Sequence, residues 1–317
     1  MSFVSVIIPN YNCAAWLPQT LESCIQQKEF IKEIIIIDDF STDTSWEILV
    51  HYAEKHSQFI RIYKNLSKGG NNARNLGFSF STGDYIQWLD ADDQLLPGKF
   101  SAQLNIFKIN SSADIVYSDW QLNTYRDGIV QKRELKKTKE YPDFLYELLI
   151  NNWSPPSNYL LNRGIASKLN DLKGWNEATQ VGQDREYFTL GAIVQARFCY
   201  VSGVYSIYNR WNKLSVSTAN QELRYASVSN MLNRFEILLE EQQWLSSKEI
   251  KKYIQIIETE KLYIASCGYP VIFKEGSPRF LNVKWLLYRG IRTRARMAYL
   301  IIRNGVRNNA GESKGFL

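Results

Sequence analysis

The sequence is poor in the residues that build metal cages and covalent staples. It has 4 Cys and 2 His among 317 residues, and Cys13, Cys24, Cys199 and Cys267 form no C-x-x-C pair. That excludes a conventional zinc constellation and a disulfide scaffold, and leaves reduced thiols as the expected state. With 17 Gly and 8 Pro the chain is neither collagen-like nor of low complexity. No apolar run approaches the ~20 residues that cross a bilayer. The chain enters a strand-like run at Phe3 without a charged leader or a cleavage pattern, so the expectation is a cytoplasmic protein.

What is present is an ordinary globular mixture, 45% apolar and 22% charged, enough to bury a sizeable core in one large domain or two smaller ones. Aromatic residues reach 14%, with 9 Trp and 19 Tyr, which suits a thick core or a site that stacks on flat ligands. The net charge of +6 is unevenly placed. Residues 276–311 hold eight basic side chains and no acidic one, so the rest of the chain carries −2. Within that segment Leu281, Trp285, Tyr288, Ile291, Ala295, Tyr299 and Ile302 recur at helical steps, with Arg289, Arg292, Arg296, Arg303 and Arg307 on another face. This basic amphipathic stretch, 279–307, fits either peripheral contact with the inner face of an anionic membrane or a terminal helix packed on the core.

Five short β-branched or aromatic runs alternate with helical patterns in the first 120 residues: Phe3–Ile8, Ile34–Ile37, Ile60–Tyr63, Tyr85–Leu89 and Asp114–Tyr117. Thr44 and Glu47 have the spacing of a capping box. The alternation predicts an α/β fold, a mostly parallel sheet flanked by helices, with ligands at the carboxyl ends of the strands. Those ends are polar: Pro9-Asn-Tyr-Asn12, Asp38-Asp-Phe-Ser-Thr-Asp43 and Asp90-Ala-Asp-Asp93. Beyond Lys136 the pattern is less regular, with helical stretches near Phe144–Ile150 and from Asp184 to about Val194. Two longer helical patterns follow, Leu223–Gln243 and Ser246–Ala265, the second opened by a capping box at Ser246 and Glu249. The expected organisation is a body over 1–218, with halves 1–120 and 121–218, followed by a helical C-terminal region over 219–317.

The ordered motifs V-S-V-I-I-P-N-Y-N, I-I-I-D-D-F-S-T-D, G-x-x-x-A-R-N from Gly69 to Asn75, and G-D-Y-I-Q-W-L-D-A-D-D from Gly83 to Asp93 resemble the inverting family 2 glycosyltransferases. The resemblance implies a GT-A fold, Rossmann-like, and a nucleotide-sugar donor. It implies that Asp90 and Asp92 are the D-x-D carboxylates that hold Mn²⁺ or Mg²⁺, with Asp92 the direct ligand and Asp90 nearer the ribose. A divalent ion there offsets the charge that develops on a leaving diphosphate. Asp93, Asp38, Ser41 and Asp43 are expected to cap turns and helices.

By the same resemblance Pro9 shapes the first loop, Tyr11 stacks on the base, Asp39 accepts its imide N–H and Arg74 approaches the diphosphate or base. A structural pairing of Arg74 with Asp39 or Asp90 is the other reading of that residue. Gly174-Trp-Asn-Glu177 and Gly182-Gln-Asp-Arg-Glu186 match the stretch that carries the general base, which places that role on Asp184. Gln183 stands where the family usually has Glu. The segment Tyr208–Ser217 resembles a mobile loop, from which Arg210 or Lys213 would reach the leaving group. Trp153 and Trp175 are candidates for stacking on sugar.

The function implied is transfer of a hexosyl or N-acetylhexosaminyl group from a nucleotide-sugar, expected to be a UDP-sugar. The acceptor is a saccharide or lipid-linked hydroxyl, and the setting is cell-surface glycan synthesis. A nucleotidyltransferase would need a Gly-rich basic loop after the first strand, which Pro9-Asn-Tyr-Asn12 is not. A nucleic-acid binder would draw on the basic tail but has no need of the D-x-D pair, so no nucleic acid is expected.

Overall fold

The computed structural model describes residues 3–211, 220–267, 269 and 271. The first part alternates β1 (Val4–Asn10), α1 (Leu17–Ile25), β2 (Ile31–Asp38), α2 (Ser45–Lys55), β3 (Ile60–Lys64), α3 (Gly70–Phe80) and β4 (Tyr85–Trp88). Then come β5 (Gln94–Leu95), α4 (Lys99–Ile109), β6 (Ile115–Arg126), β7 (Ile129–Lys136), α5 (Phe144–Leu149), β8 (Leu160–Asn162) and α6 (Arg163–Asp171). The remainder is α7 (Gln183–Ile193), β9 (Phe198–Arg210), α8 (Gln221–Glu240) and α9 (Ser247–Ser266).

The strands form one sheet in the order β3-β2-β1-β4-β8-β6-β9-β5, with β7 paired to β6. The β3-β2-β1-β4 block and the β6–β9 pair are parallel, whereas β8 runs antiparallel between β4 and β6. The α/β class expected from the alternation is the class observed.

Strands β1 and β2 are covered on both faces, which is why they read as largely apolar runs. Along β1, Val4, Val6 and Ile8 enter the core on the side of Leu17, Leu21 and Leu49, while Ile7 faces the core that holds Leu148, Leu190 and Ile257. Helix α3 lies so close to the sheet that a Cβ on Gly77 would sit 2.5 Å from Cγ2 of Ile7. The exposed strand β7 carries Lys132, Arg133 and Lys136, charges that discourage further edge pairing.

Helices α8 and α9 share one core with the body: Phe235, Ile256 and Ile257 belong to the same buried cluster as Trp88, Tyr187 and Phe188. Their bounds lie close to the helical patterns in the sequence, and the Ser246–Glu249 capping box is formed. The box at Thr44 is not. Thr44 makes no side-chain cap, and Oδ1 of Asp43 instead accepts the N–H of Ser45 at 3.0 Å. The segment 279–307 lies outside the described residues.

Candidate active site

The carboxyl ends of β1, β2 and β4 converge, as a parallel sheet requires. Nδ2 of Asn10 donates to Oδ1 of Asp38 at 2.8 Å, and the N–H of Ser41 donates to its Oδ2 at 3.2 Å, so Asp38 builds the turn. Pro9 lies inside β1, opposite Ile37. Asp39 is buried and accepts from Nδ2 of Asn65 at 2.7 Å and from the N–H of Gly69 at 2.9 and 3.0 Å. Gly69 adopts a φ of 134°, a conformation strained for residues with a side chain, and so presents that N–H to Asp39. Tyr11 is 46% exposed beside them, with Nζ of Lys68 4.9 Å from its ring centre.

Arg74, one turn into α3, joins this edge to the second half of the chain. Its Nη2 donates to Oδ1 of Asp90 at 2.7 Å and its Nη1 to Oε1 of Gln183 at 3.3 Å. The guanidinium lies 4.4 Å from the ring centre of Trp175, which is buried and stacked on Tyr187. Trp175 is therefore a floor for Arg74 in the core, and the expectation that it stacks on sugar is corrected. Helix α3 is further tied to the loop ahead of α7, through Nδ2 of Asn71 to the carbonyl of Asn176 at 2.6 Å and Nδ2 of Asn75 to that of Trp175 at 3.0 Å.

Asp92 sits beside Asp90. Burial and then the Asp90 charge push its carboxyl up to about 6, against a hydrogen bond from Trp211 that favours the anion. That bond runs from Nε1 of Trp211 to Oδ2 of Asp92 at 2.7 Å, and the indole is also stacked on Trp16 at 3.6 Å between ring centres. Asp93 is fully buried and accepts from the N–H of Asn209 at 3.0 Å and Oγ of Ser157 at 3.1 Å, so it anchors the end of β9.

Among the described residues no group of three or more His, Cys, Asp or Glu side chains is placed to hold a metal ion. The Asp90–Asp92 pair would offer oxygen donors only, and a cation there would offset the Asp90 charge that helps raise the Asp92 carboxyl. Such a pair fits Mg²⁺ or Mn²⁺, which complete their shells with phosphate oxygens and water.

Asp184 occupies the first turn of α7, whose N-cap is Gly182. Burial, and next the Asp90 charge, raise its carboxyl to about 7, while Arg74 opposes the shift. A partly buried carboxylate that titrates near neutrality is suited to accept a proton. The two residues that follow Asp184 are paired with the C-terminal helices. Arg185 donates to both oxygens of Glu260 at 3.0 and 2.7 Å, and Glu186 pairs with Arg234 at 2.6 Å.

Tyr208–Arg210 are the last residues of β9, so only the start of the expected loop is strand, and residues 212–217 of it lie outside the described residues. Arg210 lines a cavity with Trp153, and Lys213 lies outside the described residues. The sequence reading missed Trp211, one residue beyond a candidate it named, and the Arg185–Glu260 and Arg234–Glu186 pairs. The only available signal for those pairs was an apolar helix interrupted by charges, as at Glu258, Glu260 and Lys261.

The profile of Glycosyl transferase family 2 matches residues 5–170, and the chain belongs to that family. It is 40% identical over 108 residues to the Escherichia coli UDP-Glc:alpha-D-GlcNAc-diphosphoundecaprenol beta-1,3-glucosyltransferase WfaP, a stretch covering 34% of this chain and 42% of that protein. It is 29% identical over 209 residues to a poly(ribitol-phosphate) beta-glucosyltransferase of Bacillus spizizenii, covering 65% of this chain and 32% of the relative. These matches span less than half the length of each relative. The fold is similar to that of S. aureus TarS 1–349 in complex with UDP-GlcNAc, with a TM-score of 0.62 and 16% identity, over 93% of this chain and 83% of that one.

Proposed function

We propose that the chain transfers a hexosyl or N-acetylhexosaminyl group, with inversion, from a UDP-sugar to a hydroxyl of a saccharide or lipid-linked acceptor in cell-surface glycan assembly. The observation that carries this reading is the bridge made by Arg74. It binds Asp90 of the D-x-D pair and Gln183, the residue before Asp184, and so holds the two halves of an inverting site in one network. The names of relatives support the donor class: WfaP carries UDP-Glc in its name, and TarS was solved with UDP-GlcNAc.

In this reading Asp184 takes the proton from the acceptor hydroxyl as its oxygen attacks the anomeric carbon. The bond from that carbon to the diphosphate breaks on the opposite face, and negative charge grows on the leaving group. Asp90 and Asp92 would hold Mn²⁺ or Mg²⁺, which supplies positive charge to the diphosphate when bound. Gln183, being neutral, hydrogen-bonds Arg74 without competing for its charge, so the guanidinium keeps its ion pair with Asp90. Asp39, its orientation fixed by Gly69 and Asn65, and exposed Tyr11 are the base-recognition pair.

The test is UDP release from a panel of UDP-sugars with Mn²⁺, with and without acceptor. The Asp184→Asn variant should lose about 10²- to 10⁴-fold in turnover, the usual worth of a general base, while still binding UDP. Asp92→Ala should lose the metal-dependent part. Normal turnover in both variants would overturn the mechanism. Membrane contact through 279–307 belongs to the same proposal: replacing Arg289, Arg292 and Arg296 by Gln should weaken sedimentation with anionic vesicles.

A further inference from the structure

A cavity of about 450 Å³ opens between the end of β7, α5, the loop after it and the end of β9. Its walls include Trp120, Trp153 and Tyr159, and its cations are Lys136, Lys137 and Arg210, with no Asp or Glu in the lining. Lys136 is shared with Glu134 at 3.4 Å. Lys137 and Arg210 make no ion pair among the described residues. The size suits a small ligand, and aromatic walls with unpaired cations suit a sugar or polyol that carries an anion.

The cavity meets the carboxylate site at the end of β9, where Arg210 of its lining precedes Trp211, whose Nε1 donates to Oδ2 of Asp92 at 2.7 Å. The ring of Tyr208 lies edge-on to Trp120 at 6.1 Å and to Trp153 at 6.2 Å between centres. Burial raises the Tyr208 hydroxyl well above its ordinary range, and the charges of Asp93, Asp184, Asp90 and Asp92 add to that rise, so the same side chain lies in the field of the D-x-D pair and the base. Tyr159, in the cavity wall, also feels Asp184. Asn209, between Tyr208 and Arg210, donates through Nδ2 to the carbonyl of Asp92 at 2.6 Å, so the cavity lies against the segment that carries the D-x-D pair.

Resting on the glycosyl-transfer reading above, we infer that this cavity is the acceptor subsite and that it takes a phosphate-bearing saccharide or polyol, the phosphate held by Lys137 and Arg210 with Lys136 in support. A guanidinium beside two ammonium groups matches the several oxygens and the charge of a phosphate better than a single carboxylate. The aromatic walls then hold the ring or polyol chain and leave a hydroxyl toward Asp184.

The experiment is calorimetric titration of the full chain at saturating UDP, so that phosphate probes cannot enter the donor site. N-acetylglucosamine 1-phosphate represents a glycosyl phosphate end and glycerophosphoglycerol a polyol phosphodiester, with N-acetylglucosamine and glucuronate as neutral and carboxylate controls. Saturable binding of either phosphate probe, weakened at least about tenfold in Lys137→Glu and in Arg210→Glu, supports the proposal, and the tighter probe identifies the source of the phosphate. Equal binding of glucuronate, or phosphate binding unchanged in both variants, overturns it. UDP binding is measured first. Its absence defeats the donor reading alone, since the phosphate titrations of the two variants still decide the cavity.

Discussion

The indole N–H of Trp211 donates to Oδ2 of Asp92 at 2.7 Å, and Trp211 is held in that position by stacking on Trp16 and lying 4.0 Å from the ring centre of Tyr125. The carboxylate assigned to the metal thus enters the reaction cycle with one oxygen already engaged. A hydrogen bond to a charged group is worth about 1.5–3 kcal/mol, and it draws negative charge away from the oxygen a cation would use. Trp211→Phe keeps a ring between Trp16 and Tyr125 but removes the donor. Its Mn²⁺ half-saturation, followed by electron paramagnetic resonance, should fall about tenfold, which is about 1.4 kcal/mol. Unchanged or weaker Mn²⁺ binding would show that the indole does not compete with the ion.

As the proposed base Asp184 must be deprotonated to act, and its carboxyl is raised to about 7 by burial and the Asp90 charge. The dependence of kcat/KM on pH reports groups of the free enzyme. It should therefore rise about tenfold per unit up to pH 7 and level above it. A profile already flat from about pH 5 would remove Asp184 from the role of base.

The same carboxyl is held down by Arg74. Arg74→Gln removes that charge while keeping a hydrogen-bonding group near Gln183, so the ionisation seen in kcat/KM should move above 7. The sign is the test. A purely structural role for Arg74 lowers the rate without moving the midpoint, and a downward shift contradicts the electrostatic linkage.

Much of the site was legible because parallel strands advertise themselves. Val4–Ile8 and Ile34–Ile37 are buried on both faces, so their runs are apolar but for Ser5, and the polar residues that end them mark the edge where the candidate site lies. The second half hid its strands for a physical reason. Strand β6 runs on past the apolar run that ends at Tyr117 to Arg126, through Ser118 and Asp119, which are buried with partners. Oγ of Ser118 donates to Oδ1 of Asn158 at 2.8 Å, and Asp119 accepts the N–H of Thr138 at 2.7 Å. Such long-range polar pairing leaves no periodic trace. Trp175 misled in the opposite sense: an indole near the predicted base suggested sugar stacking, yet its ring is covered by Arg74 and Tyr187.

The proposed base is followed by a residue tied to α9. Arg185, directly after Asp184, forms a bidentate pair with Glu260 of α9, both side chains 6% exposed, and donates to the carbonyls of Leu148 and Leu149 at 3.3 and 2.8 Å. Removing one partner of a buried pair leaves an uncompensated charge and costs about 3–5 kcal/mol, whereas replacing both by apolar residues is often neutral. Glu260→Gln should therefore lower Tm by about 10 °C, at a few degrees per kcal/mol. Arg185→Met combined with Glu260→Met should restore most of that stability. If the pair also sets the position of α7, the double variant will still show a reduced kcat with UDP affinity intact, because the first turn that carries Asp184 has lost its lateral tether. Recovery of both Tm and kcat in the double variant would confine the pair to stability and leave the placement of Asp184 to Gln183 and Arg74.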